Sequence, residues 1–215
     1  MSRTMNYQSI KKLLPTFLIG VVISVGMFLF GQTNSRANNP NEAEIGFAQD
    51  MSVHHQQAIE MSFLIRERTD NPAVRDFAFD IINTQANQRG MMLGWLDLWQ
   101  QPPTATKKPM MWMADGMTAM NHGQMNGLFT TGAYMIGMAT KVEMDQLAIL
   151  EDGRAEIKFL ELMIRHHQGG VMMAEGVIKR SNNETVTRLA QTMVNGQQAE
   201  IAYMNGLLKK YNNNL

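Results

Sequence analysis

The sequence contains no cysteine. No disulfide can staple the fold, and no thiolate is available as a nucleophile or metal ligand. Charge is sparse, at 18% of residues, and the formal net charge is zero. With no basic surplus and no nucleic-acid motif, a nucleic-acid partner is not expected. Neither a Ser/His/Asp triad nor a phosphate-cradling glycine loop is present, so no enzymatic chemistry is assigned. Histidine is also scarce, with five in 215 residues. What is abundant is methionine, 21 residues in a chain that is 45% apolar. That apolar content supports a folded core in about one domain. Some of the methionine is explained as gap-filling in that core. Methionine in loops is not.

There is one long apolar run, Leu13 to Phe30, preceded by Arg3, Lys11 and Lys12 and followed by a polar stretch. That order reads as an export segment, either a signal peptide or an N-terminal membrane anchor spanning 1–37. Ser35-Arg36-Ala37 is a tolerable cleavage site. The expected location of the rest is periplasmic or secreted, with membrane contact only through residues 13–30. Beyond Ala37, 15 of the 19 Lys and Arg remain against all 19 Asp and Glu, so this part carries a net −4.

Four of the five histidines occupy two copies of one pattern, Met51-Ser52-Val53-His54-His55-Gln56 and Met163-Ile164-Arg165-His166-His167-Gln168. Another Met follows each copy, at Met61 and at Met173, the latter beside Met172. Placing 47–99 on 159–211 without gaps gives 15 identities in 53 positions, including Arg68/Arg180, Asn71/Asn183, Gln85/Gln197 and Met92/Met204. Helical periodicity predicts helices over Glu42–Thr69, over Pro72 to about Gln100, over Arg154–Arg180 and over Glu184–Tyr211. Asn71 and Pro72 read as N-cap and first helical residue. Asp152-Gly153 reads as a turn, and a broken helix is predicted over Leu128–Leu150. Each repeat is then one αα-hairpin that cannot bury its apolar stripe alone. The expected fold is all-α: a ferritin-like four-helix bundle over 42–211. Its repeats, 47–99 and 159–211, are joined by a Met-rich crossover, 100–158.

At about 100° per residue, with Met51 at zero, His54 falls at about −60° and His55 at about +40°, flanking the apolar stripe. Met61 shares the His54 edge and Glu60 points outward. On the following helix Gln85 and Gln88 lie in the apolar face, matched by Gln197 and Glu200 in the second repeat. Each pair of histidines is therefore not expected to chelate one ion as a unit. One His should join a Gln/Glu layer that holds the bundle; the other should face the crossover. Met51 and Met163 stand where a di-iron bundle needs Glu three residues before His, so an oxygen-rich iron or manganese site is not expected.

The crossover carries six Met and the fifth His in sixteen residues: Met110, Met111, Met113, Met117, Met120, His122 and Met125. Neutral, soft thioether with imidazole suits Cu(I), and Ag(I), far better than Mg, Ca or Mn. Outside the cytoplasm, where Cys oxidises, Met is the practical soft ligand. The competing reading is an apolar flap or a protein-docking surface over structural His/Gln layers.

The pattern Phe-x-x-x-Met-x-x-His-His-Gln, followed by a Met and then by a Gln-x-x-Glu/Gln-x-x-x-Met helix, resembles a bacterial domain-of-unknown-function family. That family includes the CopM-like periplasmic copper-binding proteins of cyanobacteria. The resemblance implies an exported ferritin-like helical protein. It also implies copper binding and copper resistance, with Cu(I) favoured over Cu(II). Carried over to matching positions, the ligands would be His54, His55, His166, His167 and nearby Met. A copper-delivering or copper-receiving envelope protein is the partner to expect. The family commonly continues the motif as Gln-Gly-Ala; this chain has Gln57 in the first copy and Gly170 in the second.

Overall fold

The computed structural model describes residues 39–114 and 130–212. The chain divides at Pro40, and the unit from Asn41 onward carries every element below. The export segment, Met117, Met120, His122 and Met125 lie outside the described residues. None of the described helices is long and apolar enough to cross a membrane.

The described residues are all-helical: α1 (Glu42–Arg66), α2 (Pro72–Leu98), the short α3 (Lys141–Ile149), α4 (Asp152–Ile178) and α5 (Glu184–Asn212). A single 3₁₀ turn, Met111–Met113, precedes α3. α1 packs on α2, α4 on α5, and α1 on α4. The caps explain the boundaries. Asn41 and Glu44 form a capping box on α1, and Asn71 accepts from the Ala73 N–H with Pro72 in the first helical position. Asn183 accepts from the Thr185 N–H at 3.0 Å in the equivalent place on α5.

Two expectations are corrected. Of the helix expected over Leu128–Leu150 with interruptions at Gly132 and Gly137, only the stretch after the second glycine forms among the described residues, beginning at Lys141. Gly132 and Gly137 have φ of +88° and +77°, which no right-handed helix accommodates, and Thr140 with Glu143 caps the start of α3. Asp152-Gly153 is not a turn but the first residues of α4. Asp152 has φ +51°, and its N–H donates to the Arg68 carbonyl at 2.9 Å.

The equivalence of the repeats continues N-terminal to Phe47, because Ala43-Glu44-Ile45 recurs as Ala155-Glu156-Ile157. Both carboxylates are buried, and each crosses to the other hairpin. Ser181, in the α4–α5 turn, donates to Glu44 at 2.6 Å, and Thr69, in the α1–α2 turn, donates to Glu156. Tyr211 donates to Glu156 as well. These reciprocal bonds set α1 and α4 antiparallel, each helix start beside the other hairpin's turn. His54 and His166 then meet at the middle of the crossing, with one apolar cluster on each side.

Candidate metal centre

The four histidines of the repeated motif are fully buried. His54 and His166 lie ring on ring, centroids 3.7 Å apart and planes 32° apart. Each ring uses Nε2 for a hydrogen bond. His54 Nε2 is 3.3 Å from the Ile136 carbonyl oxygen, and His166 Nε2 is 2.9 Å from the His54 carbonyl oxygen. His55 Nε2 is 2.8 Å from Gln88 Oε1, and His167 Nε2 is 2.6 Å from Glu200 Oε2. Carbonyl and carboxylate oxygens only accept, so each Nε2 carries a proton, and in a neutral ring the lone pair is then on Nδ1. All four Nδ1 atoms are buried with no protein partner. Burial lowers the His54 pKa to about 3 and that of His55 to about 4, and it drives His166 well below the ordinary value. Neighbouring histidines add to this for His54 and His166, while the Gln88 bond opposes it for His55. His54, His55 and His166 are thereby held neutral, the form in which imidazole ligates a metal.

His55 and His167 thus join Gln88 and Glu200, and His54 faces the crossover. His166 departs from the expectation and reaches α1. One crossover segment, Ile136–Ala139, lies at the pseudo-symmetric crossing, and it can serve only one half. Gly169 admits that segment. A Cβ there would overlap the Ile136 carbonyl, and a Cβ on Gly137 would lie 2.6 Å from the Arg165 oxygen and 2.9 Å from Gly169 Cα. Gln57, the counterpart of Gly169, holds the same segment from α1. Its amide donates to the Ala139 carbonyl at 2.9 Å and accepts from the Ala139 N–H at 2.7 Å. Gly170 leaves room for Gln197, whose buried amide has no protein partner, as is true of Gln85.

The methionines are sorted by the crossing. Met51, Met110, Met113 and Met173 are buried in one cluster, which also takes in Met92, Met135, Met138 and Met193, with Met172 at its edge. Met61 and Met163 are buried in the opposite cluster. Met111 is 56% exposed. Among the described residues, no three His, Asp or Glu side chains are placed to hold a metal together.

Composition and helical angle did not point to Asp50, Trp112 or Gly46, although each shapes this region. Asp50 is buried; its Oδ2 accepts from the Met110 N–H at 2.7 Å and from Trp112 Nε1 at 2.9 Å. Its pKa is raised by burial, which those two bonds partly offset. The one available signal for Asp50 was an acid on the buried side of an apolar stripe.

No curated protein matches the sequence significantly. Two solved structures of the same helical architecture are similar over most of their length. The DUF305 protein of Streptomyces coelicolor is 47% identical over 81% of this chain and 94% of its own, with a TM-score of 0.68. A DUF305 fragment from Deinococcus radiodurans is 33% identical over 80% of this chain and 99% of its own, with a TM-score of 0.63. CopM in its Cu(I)-bound form is 22% identical over 78% of this chain and 96% of its own, with a TM-score of 0.58, and shares the fold. The profile of the family described as domain of unknown function DUF305 matches residues 44–208, and the chain belongs to that family.

Proposed function

We propose that this chain is an exported copper-binding protein that sequesters or carries Cu(I), and Ag(I) in its place, through Met and His ligands. One observation carries the reading: four buried histidines with Nε2 engaged and Nδ1 unpartnered, beside a methionine-rich core. An unpaired buried acceptor costs about 1–3 kcal/mol, a cost that an ion bound at Nδ1 of His54 and His166 relieves. The candidate ligands are Nδ1 of His54 and His166 with Met51, Met173, Met110 and Met113. The Nε2 bonds to Ile136 and His54 are then the outer contacts that fix each ring. His55 and His167 are assigned first to the Gln88/Glu200 layer. Solved structures of CopM with Cu(I), Cu(II) and Ag support the ion class, and the Streptomyces relative carries the name of a secreted protein. The function is homeostasis or resistance, and no bond is made or broken.

The test is thermal unfolding with Ag(I), or with Cu(I) under reducing conditions. Saturation at 100 times Kd stabilises the native state by about 2.7 kcal/mol, read as a rise in Tm. An unchanged Tm with several equivalents of either ion overturns the proposal. Long-range ¹H–¹⁵N spectra should show four Nε2–H tautomers, with the Ag(I)-induced shift falling on Nδ1.

A further inference from the structure

The stretch Met110–Met113 is fastened to the bundle by a device that no part of the copper reading needed. Met110 adopts the left-handed conformation, with φ +63°, which turns its N–H toward Asp50. Trp112 donates to the same carboxylate oxygen from the other side. The indole then lies against two glycines on different helices. A Cβ on Gly46 of α1 would overlap the Trp112 ring, and one on Gly176 of α4 would lie 3.1 Å from Met113 Cε and 3.5 Å from Trp112. Phe47 meets the indole edge-on at 6.1 Å. Neither glycine has a counterpart in the other repeat, where Lys158 and Leu64 stand, and Asp50 is matched by Leu162. The socket exists at one end of the bundle only.

We infer that Asp50 is a positioning residue that pins this strap through Met110 N–H and Trp112 Nε1, so presenting the Met110 and Met113 thioethers to Met51 and Met173 and setting the soft-ion affinity of that end. The inference rests on the copper reading. It assigns Asp50 no contact with the ion. A bond from one oxygen to two N–H groups on alternate residues fixes the orientation of Met110 and Met113, which flank or follow them in the turn. Preorganised donors bind without paying for their own ordering at the moment of capture.

The experiment uses the chain labelled with 5-fluorotryptophan, whose Trp112 resonance is assigned with Trp112→Phe. Ag(I) affinity is measured by competition with a soft chelator. Asp50→Leu keeps the branching at Cγ and removes the acceptor. It should move the Trp112 resonance and weaken Ag(I) about tenfold or more. Asp50→Asn retains an oxygen that accepts both N–H groups, and it should hold the resonance and stay within about threefold of wild-type affinity. Wild-type affinity in Asp50→Leu overturns the inference while leaving the copper reading intact. Equal losses in Asp50→Asn and Asp50→Leu with an unmoved resonance overturn it too. No Ag(I) binding by the wild type sinks the copper reading and the affinity role together, and the fluorine signal alone then reports whether Asp50 holds the strap. If Asp50→Leu does not fold, replacement of Trp112 by its sulfur isostere benzothienylalanine decides: it keeps the fused bicyclic ring against Gly46 and Gly176 and removes only the N–H. A several-fold weaker affinity supports the inference, and an unchanged one overturns it.

Discussion

At one end of the histidine layer, Met51 and Met173 share a core with Met110, Met113, Met135 and Met138 from the crossover. At the other end, their repeat counterparts Met163 and Met61 share a core with Ala139, Leu147, Leu160 and Phe159. The helical residues that build the two ends are equivalent. What differs is the part of the single crossover that each end receives, Met110, Met113, Met135 and Met138 at one and Ala139 and Leu147 at the other, and this breaks the pseudo-symmetry. Gly46, Asp50, Gly169 and Gly176 receive the crossover, and their counterparts Lys158, Leu162, Gln57 and Leu64 do not match them. A duplicated scaffold thus becomes two unlike chambers through a few unduplicated positions.

The largest expected effect concerns what the two ends share. His54 and His55 titrate low in the native state, near 3 and 4, against an ordinary value of 6.5. The unfolded chain takes up their protons first as pH falls, so stability declines below about pH 6.5 and continues down to the native pKa values. At pH 5 the loss is about 2 kcal/mol for each of these two groups. Urea melts at pH 7 and pH 5 measure it, and a flat profile would mean that the histidines are not buried as a layer.

Next in size is the junction with the crossover. Gly169→Ala should destabilise by about 1–3 kcal/mol, because the added carbon meets the Ile136 carbonyl. Gly206→Ala is the control. No neighbouring atom lies within 4 Å of its Cβ position, and the same urea experiment should show no loss. Equal effects at the two glycines would deny the special role of the 136–139 segment.

The contrast between the two chambers is probed by paired thioether removal. Met51→Leu with Met173→Leu should weaken Ag(I) about tenfold or more, whereas Met61→Leu with Met163→Leu should leave it unchanged. Met-to-Leu changes nearly conserve volume, so both variants should stay within about 1.5 kcal/mol of the parent stability. Comparable affinity losses would place soft sites at both ends. Smallest is Glu200→Gln, which makes the His167 partner resemble Gln88. A stability change of less than about 1 kcal/mol is expected in thermal melts, since an amide oxygen still accepts from Nε2.

Much of the fold was legible. Asn71-Pro72 and Asn183 announce the hairpin turns chemically, and the two His-His-Gln motifs announce the repeat. The Ala-Glu-Ile recurrence was equally visible in the chain, yet its meaning lay in Thr69 and Ser181, a whole helix away in sequence. The four motif histidines and a split of roles within each pair follow from helical angle, but that His55 and His167 take the Gln88/Glu200 layer was decided by the packing. The breaks at Gly132 and Gly137 between Leu128 and Leu150 were legible, but the delay of the helix to Lys141 was not, because both glycines take left-handed conformations that the crossover's path demands, and path is not a local property.

Local rules settle the helices, their caps, the repeat and the apolar faces, because each depends on neighbours within about four residues along the chain. The tertiary structure alone decides that His54 stacks on His166 and that Met51 joins Met173 rather than Met163. It alone decides that Asp50, Gly46 and Gly176 converge on Trp112. Those contacts arise where α1 and α4 cross antiparallel and the crossover closes on one side of them, and no spacing within either helix encodes which side that is.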